Sequence, residues 1–212
     1  MDQKLKPWEL ALMAGILISL VISTFGHNLK VEQNELADSL IRFHVIANSD
    51  SDEDQNLKLM VRDRVLAETE QVYPENGSLE EVQEALSTHL DQLAGAGDEV
   101  VQAQGFSYPV TASLEHCWFP TKEYDGFTLP AGYYDALRIV IGEGRGHNWW
   151  CVAFPPLCIS AASETLDSAV QAGYFTEEQV KLVTEQDGGY VLKLKGLELL
   201  GRLQRFLKEQ MA

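Results

Sequence analysis

Positive charge is scarce in this sequence: 16 lysines and arginines stand against 32 aspartates and glutamates in 212 residues, a formal charge of −16. That balance excludes nucleic acid as a partner, because a phosphate backbone requires a basic face. Cysteine is scarce too, and three thiols allow at most one intramolecular bridge, which excludes a disulfide-dense scaffold. No internal repeat and no low-complexity linker is present, so a solenoid or an array of modules is excluded. Disorder is excluded as well, since the chain is 45% hydrophobic and its apolar residues recur with regular spacing. One ordinary core is affordable at this length; two large domains are not.

The first 26 residues differ from the rest. Lys4 and Lys6 precede an uncharged apolar run from Leu10 to Ile22 broken only by Ser19, the pattern of an export signal. Trp8 to Phe25 would form a helix of about 27 Å, against a hydrocarbon core of roughly 30 Å. The segment 1–26 therefore reads as an N-terminal membrane or signal helix, either kept as an anchor or cleaved after Gly26. The positive-inside rule leaves Lys4 and Lys6 in the cytoplasm and places residues 27–212 outside it. Residues 27–189 hold 9 basic and 28 acidic side chains, so this body is repelled by anionic lipid. Beyond Tyr190 the sign reverses, with Lys193, Lys195, Arg202, Arg205 and Lys208 against Glu198 and Glu209.

After a linker at 27–37, hydrophobic periodicity predicts one α+β domain over 38–212, a mostly antiparallel sheet packed against helices. Residues 40–47 alternate as a strand. Asn48-Ser49-Asp50-Ser51-Asp52 supplies capping oxygens for a helix from Asp52 to Tyr73, with acidic residues in its positive first turn. Two apolar stripes on that helix predict cover on both sides. Ser78 and Glu81 form a capping box that opens a second helix reaching Val101, bent or loosened at Gly95 and Gly97. Strand-like runs follow at Val110–Phe119, Tyr134–Ile141 and Trp149–Phe154. The glycine-rich stretch from Gly142 to Asn148 predicts an antiparallel hairpin between the last two. Helices near 164–172 and 177–184, a strand at Tyr190–Leu194 and an amphipathic helix over 196–210 complete the expectation.

Chemistry is harder to find. Asp50-Ser51-Asp52-Glu53-Asp54 has alternate carboxylates like a calcium loop, but Gln55 and Val61 occupy the sixth and twelfth places, where glycine and a bidentate glutamate are required. Helix capping explains the run better. The glycines at 142, 144 and 146 lack the following helix that a phosphate loop needs. His147, Cys151 and Cys158 lack the paired spacing of a zinc site, and His116 beside Cys117 on a strand points to the opposite face. No cofactor or metal is implied, and no catalytic residue is assigned. Cys151 and Cys158, separated by six residues that include Pro155-Pro156, are either bridged in an exported chain or two buried free thiols. Trp149 and Trp150 place one indole on each sheet face, one for the core and the other under a helix or offered to a partner.

Four blocks together carry a resemblance: Ile41-Arg42-Phe43-His44-Val45-Ile46-Ala47-Asn48-Ser49-Asp50-Ser51, Phe119-Pro120-Thr121-Lys122, Leu129-Pro130-Ala131-Gly132, and the eleven residues Asn148-Trp149-Trp150-Cys151-Val152-Ala153-Phe154-Pro155-Pro156-Leu157-Cys158. In this order they resemble the stage II sporulation protein R family over about residues 40–160. The resemblance implies a non-enzymatic signalling protein of endospore formers, exported from the forespore into the space between the two septal membranes. There it activates a membrane-embedded aspartic protease of the mother cell that processes the sigma factor E precursor. Loop chemistry and the shared blocks single out Asn48, Ser49, Asp50 and Lys122 as partner contacts. Glu143, Arg145, His147, Asn148, Trp149 and Trp150 on the second loop join them. The rival readings are an exported hydrolase using Cys117 or Cys151 with a histidine, and a structural module that binds the envelope.

Overall fold

The computed structural model describes residues 12–13, 15–17, 33–74, 77–124, 127–158, 170 and 173–184. The chain divides into two compact units, Met1–Leu36 and Ala37–Ala212. In the first, residues 12–13 and 15–17 are helical, with Leu12, Met13, Ile16 and Leu17 exposed. The rest of the expected helix from Trp8 to Phe25 lies outside the described residues. Among the described residues no helix is long and apolar enough to cross a membrane.

The second unit is α+β. Its elements are β1 (Ile41–Ile46), α1 (Asp52–Val72), α2 (Leu79–Thr88), α3 (Leu90–Ala103), β2 (Val110–Phe119), β3 (Lys122–Tyr124), β4 (Phe127–Leu129), β5 (Gly132–Ile141), β6 (Asn148–Phe154) and α4 (Glu177–Thr184). Of the helix expected near 164–172 only Val170 is described, and the strand at Tyr190–Leu194 and the helix over 196–210 lie outside the described residues.

The main sheet has the order β2-β5-β1-β6. It is mixed: β2 and β6 run antiparallel to their neighbours, whereas β1 and β5 are parallel, Phe43 facing Leu137 and Val45 facing Ile139. This corrects the expected hairpin. Residues 134–141 and 149–154 do form antiparallel strands, but β1 lies between them, pairing with β5 on one edge and β6 on the other. A parallel pair needs a long connection, and the three helices with β2 supply it. Local alternation reveals a strand but not its neighbour, and the central place goes to β1 because five of its six residues are buried.

Strand alternation sends Ile41, Phe43 and Val45 to the face shared with Leu137, Ile139 and Ile141. There they meet Leu57, Val61 and Val65 of α1, with Val82, Leu86, Leu93 and Val101 of α2 and α3. Each such side chain, fully buried, contributes about 1.5–3 kcal/mol. The two stripes of α1 are covered unequally: of the first Leu57, Val61 and Val65 are buried while Met60 is exposed, and of the second Leu66 is buried, Tyr73 is half-buried against the core and Leu59 is half-buried. Ser51 caps α1 by accepting from the Asp54 N–H at 3.2 Å, and Ser78 with Glu81 completes the capping box of α2. The second expected helix breaks at His89, not at its glycines. Gly97 instead permits close packing, since a Cβ there would come within 2.8 Å of Val110 Cγ1.

The opposite face is built around a charge. Arg42 has no exposed surface, and its guanidinium carbon lies 4.5 Å from the centre of the Phe119 ring, 5.1 Å from Tyr134 and 5.9 Å from Tyr124. Its Nε donates to the Cys151 carbonyl at 3.3 Å and one terminal nitrogen to Tyr124 Oη at 2.8 Å. The β3–β4 hairpin, which periodicity did not reveal in three-residue strands, brings Tyr124 there with Phe127 stacked on it at 4.8 Å. Arg42→Ala is expected to cost about 3 kcal/mol, because it empties the ring cage and strands the groups that faced the guanidinium. Arg42→Met, which refills the volume without a buried charge, is expected to cost about 1 kcal/mol. Urea unfolding of the two variants checks the ranking; equal losses would show that the cage depends on the guanidinium itself and not on filled volume.

Candidate functional site

β1 and β5, being parallel, end side by side, and β6 begins at the same edge. Two loops therefore meet there: residues 47–51 leading into α1, and residues 142–147 passing over the end of β1 to reach β6. The upper loop lies directly on the lower. Gly146 N–H donates to Ala47 O at 2.9 Å and Arg145 N–H to Asn48 O at 3.2 Å. A Cβ on Gly146 would run into the Ser49 carbonyl, so glycine is required by close approach of two backbones.

Side chains complete the clip. Asn48 Oδ1 accepts from Glu143 N–H at 3.0 Å and its amide donates to Asp54 at 2.9 Å; Ser49 Oγ donates to the same carboxylate at 2.5 Å. Burial works to raise the Asp54 pKa, but these hydrogen bonds outweigh it and hold the carboxyl below its ordinary 3.8. Asp50 accepts from both the backbone N–H and the ring of His147 at 2.5 Å, and the backbone bond is the main reason its pKa is lowered. Lys58 donates to His147 O at 3.1 Å.

The ten expected contact residues thus converge on one end of the sheet, with unequal freedom. Asn48 and Ser49 are committed to holding the loops together. Asp50, Glu143, Arg145, His147, Asn148 and Trp149 are exposed. Asp50, Lys122, Arg145, His147, Asn148 and Trp150 line a cleft of about 440 Å³. The two indoles do take opposite faces. Trp149 is 37% exposed with the Arg62 guanidinium 4.3 Å over its ring, and Trp150 packs near His44 and Phe119 with Lys122 Nζ at 5.6 Å. Sequence reading missed Arg62 and Lys58, whose helical positions gave no sign that they turn toward this end.

Behind Trp150, burial foremost and the Arg138 guanidinium next lower the His44 pKa from 6.5 to about 4. Arg138 in turn pairs with Glu115 at 3.1 Å. Cys151 and Cys158 are joined as a disulfide with Cα atoms 5.6 Å apart, within the span such a bridge requires. Burial pushes the Cys117 thiol up, against thiolate formation, while His116 turns to Asp135 at 2.8 Å and stacks on Tyr133. Neither cysteine of the hydrolase reading is arranged as a nucleophile.

Asn48→Ala, which leaves the Glu143 N–H without its acceptor, is expected to cost about 1–2 kcal/mol in urea unfolding and to speed hydrogen exchange at that amide. The His44 pKa gives a second expectation. An unfolded imidazole takes its proton near 6.5 and the folded one only near 4, so across that interval the unfolded chain binds more protons. Stability should fall as pH drops from 6.5 to about 4 and be unaffected by this group above 6.5. His44→Gln should flatten that part of the profile; an unchanged slope would exclude His44 as its source.

The sequence profile of the family described as Stage II sporulation protein R matches residues 37–164, a span that holds both loops, the Arg42 cage and the disulfide. A curated relative, the Stage II sporulation protein R of Bacillus subtilis (strain 168), is 35% identical over 147 residues, 69% of this chain and 66% of the relative. The match thus spans just under two thirds of that relative's length. No solved structure matches the chain. With more than half the chain matched, this protein belongs to the stage II sporulation protein R family.

Proposed function

We propose that this chain is an exported sporulation signal, made in the forespore, that activates a membrane-embedded aspartic protease of the mother cell. That protease then cleaves the pro-sequence from the sigma factor E precursor. Family membership over residues 37–164 is the observation that carries the reading. The N-terminal pattern of Lys4 and Lys6 before an apolar run supports export, with the helix either kept as a tether or removed in the intermembrane space.

The chain acts here by binding. A ligand moves a protease between inactive and active states only through unequal affinity for the two, so the ectodomain must meet a surface that differs between them. The loop end of the sheet suits that task. Its exposed side chains ride on two loops cross-clipped by Asn48 and Asp54, so little ordering entropy is lost on docking. The bridged Cys151 and the raised Cys117 pKa count against the hydrolase alternative.

The test is an immunoblot of the sigma factor E precursor in a non-sporulating host that makes the precursor and its protease, with and without the exported chain. The shorter product should appear only with the chain. Joint charge reversal at Asp50, Lys122, Glu143 and Arg145 should reduce the processed fraction at least tenfold while thermal unfolding stays cooperative. Undiminished processing by that variant would remove this surface, and no processing by the exported, folded wild type would remove the activator reading.

A further inference from the structure

Basic side chains are unevenly placed in this acidic protein. Of the 9 between residues 27 and 189, Lys58, Arg62, Lys122 and Arg145 surround the Trp149-Trp150 pair, and Arg42 and Arg138 lie on the strands behind it. Lys122 has no carboxylate within ion-pairing distance among the described residues, and its ammonium rests against the Trp150 ring. Among the described residues the Arg145 guanidinium pairs only with its loop neighbour Glu143, at 3.1 Å and with both side chains mostly exposed, a pair worth little in water. Among the described residues the buried indole Nε1–H of Trp150 has no acceptor, nor do the buried Arg138 Nε and one terminal nitrogen of Arg42 on the strands behind it. Lys122, without a carboxylate among the described residues, and the weakly held Arg145 thus line one cleft of about 440 Å³ together with Trp150.

Three features narrow the ligand. Asp50 in the cleft wall offsets one cation, so the lining suits a single negative charge better than a dianion. The Trp150 ring already has Lys122, His44 and Phe119 packed around it, which leaves no open aromatic platform for a sugar. An anionic lipid surface would meet the whole acidic body, whereas a peptide presents its charge locally. We propose that this cleft receives one carboxylate side chain from an acidic peptide segment of the activated partner, held between Lys122 and Arg145 beside Trp150. The proposal rests on the activator reading and adds the chemistry of its contact.

The test is a titration of the ¹⁵N-labelled full chain in neutral detergent with a capped Glu-Glu dipeptide, following the Trp150 indole N–H resonance assigned with Trp150→Phe. A saturable shift with a half-point of about 1–10 mM is expected, with none from the capped Gln-Gln dipeptide. Lys122→Met and Arg145→Gln should each raise the half-point at least fivefold. Glu143→Gln, which frees Arg145, should lower it. Absence of a saturable shift, or an equal shift with Gln-Gln, would overturn the proposal, and inorganic phosphate saturating at a lower concentration than Glu-Glu would overturn the choice of a carboxylate. The protease takes no part in this titration, so failed binding beside intact precursor processing would remove the cleft proposal alone. Binding without processing would keep the carboxylate site and remove the activator reading.

Discussion

A parallel strand with neighbours on both edges constrains the rest of this domain. Because β1 runs parallel to β5 and antiparallel to β6, the six residues between β5 and β6 must pass over the end of β1, where the chain is already turning into α1. Two loops are forced into one place, and both backbones must find partners there. They find each other. The glycine at 146, the amide of Asn48 and the carboxylate of Asp54 follow from that crossing, since each removes a clash or supplies a bond it would otherwise lack.

The same strand makes the two faces of the sheet unlike. Ile41, Phe43 and Val45 meet the helices as an ordinary apolar layer, while Arg42 and His44 on the other face impose a different solution. Arg42 has no carboxylate partner among the described residues, and a buried guanidinium of that kind is tolerable only where ring faces and carbonyl oxygens replace water. Phe119, Tyr124, Tyr134 and the Cys151 carbonyl do so, and each arrives from a distant stretch of chain. Arg42 thus couples the end of β2, the β3–β4 hairpin, β5 and β6. Blocks that look unrelated in the sequence belong to one structure.

This arrangement also separates rigidity from recognition. Asn48, Ser49 and Asp54 spend their hydrogen bonds within the protein, and the exposed groups of the neighbouring loop gain fixed positions from them. Trp149 and Trp150 extend in opposite directions from one edge strand, each with a cation against its ring. For a protein whose proposed role is to bias a partner between two states, a preordered contact end is the economical design.

Much of the fold was legible in the sequence because local physics decides it. Alternation marked β1, β2, β5 and β6, and Ser51, Ser78 and Glu81 announced their helices, since a free N–H in the first turn demands a nearby oxygen. The proximity of Cys151 and Cys158 allowed a bridge without deciding it. What tertiary structure alone decided was adjacency: that β1 would divide the supposed hairpin, that α1 would turn Lys58 and Arg62 toward the tryptophans, and that Lys122 would lie against Trp150. Periodicity records which face of an element is apolar, and an apolar face accepts many partners. Only the competition among all elements for one core, together with the need to satisfy every buried backbone group and the Arg42 charge, selects the arrangement that brings the loop residues together.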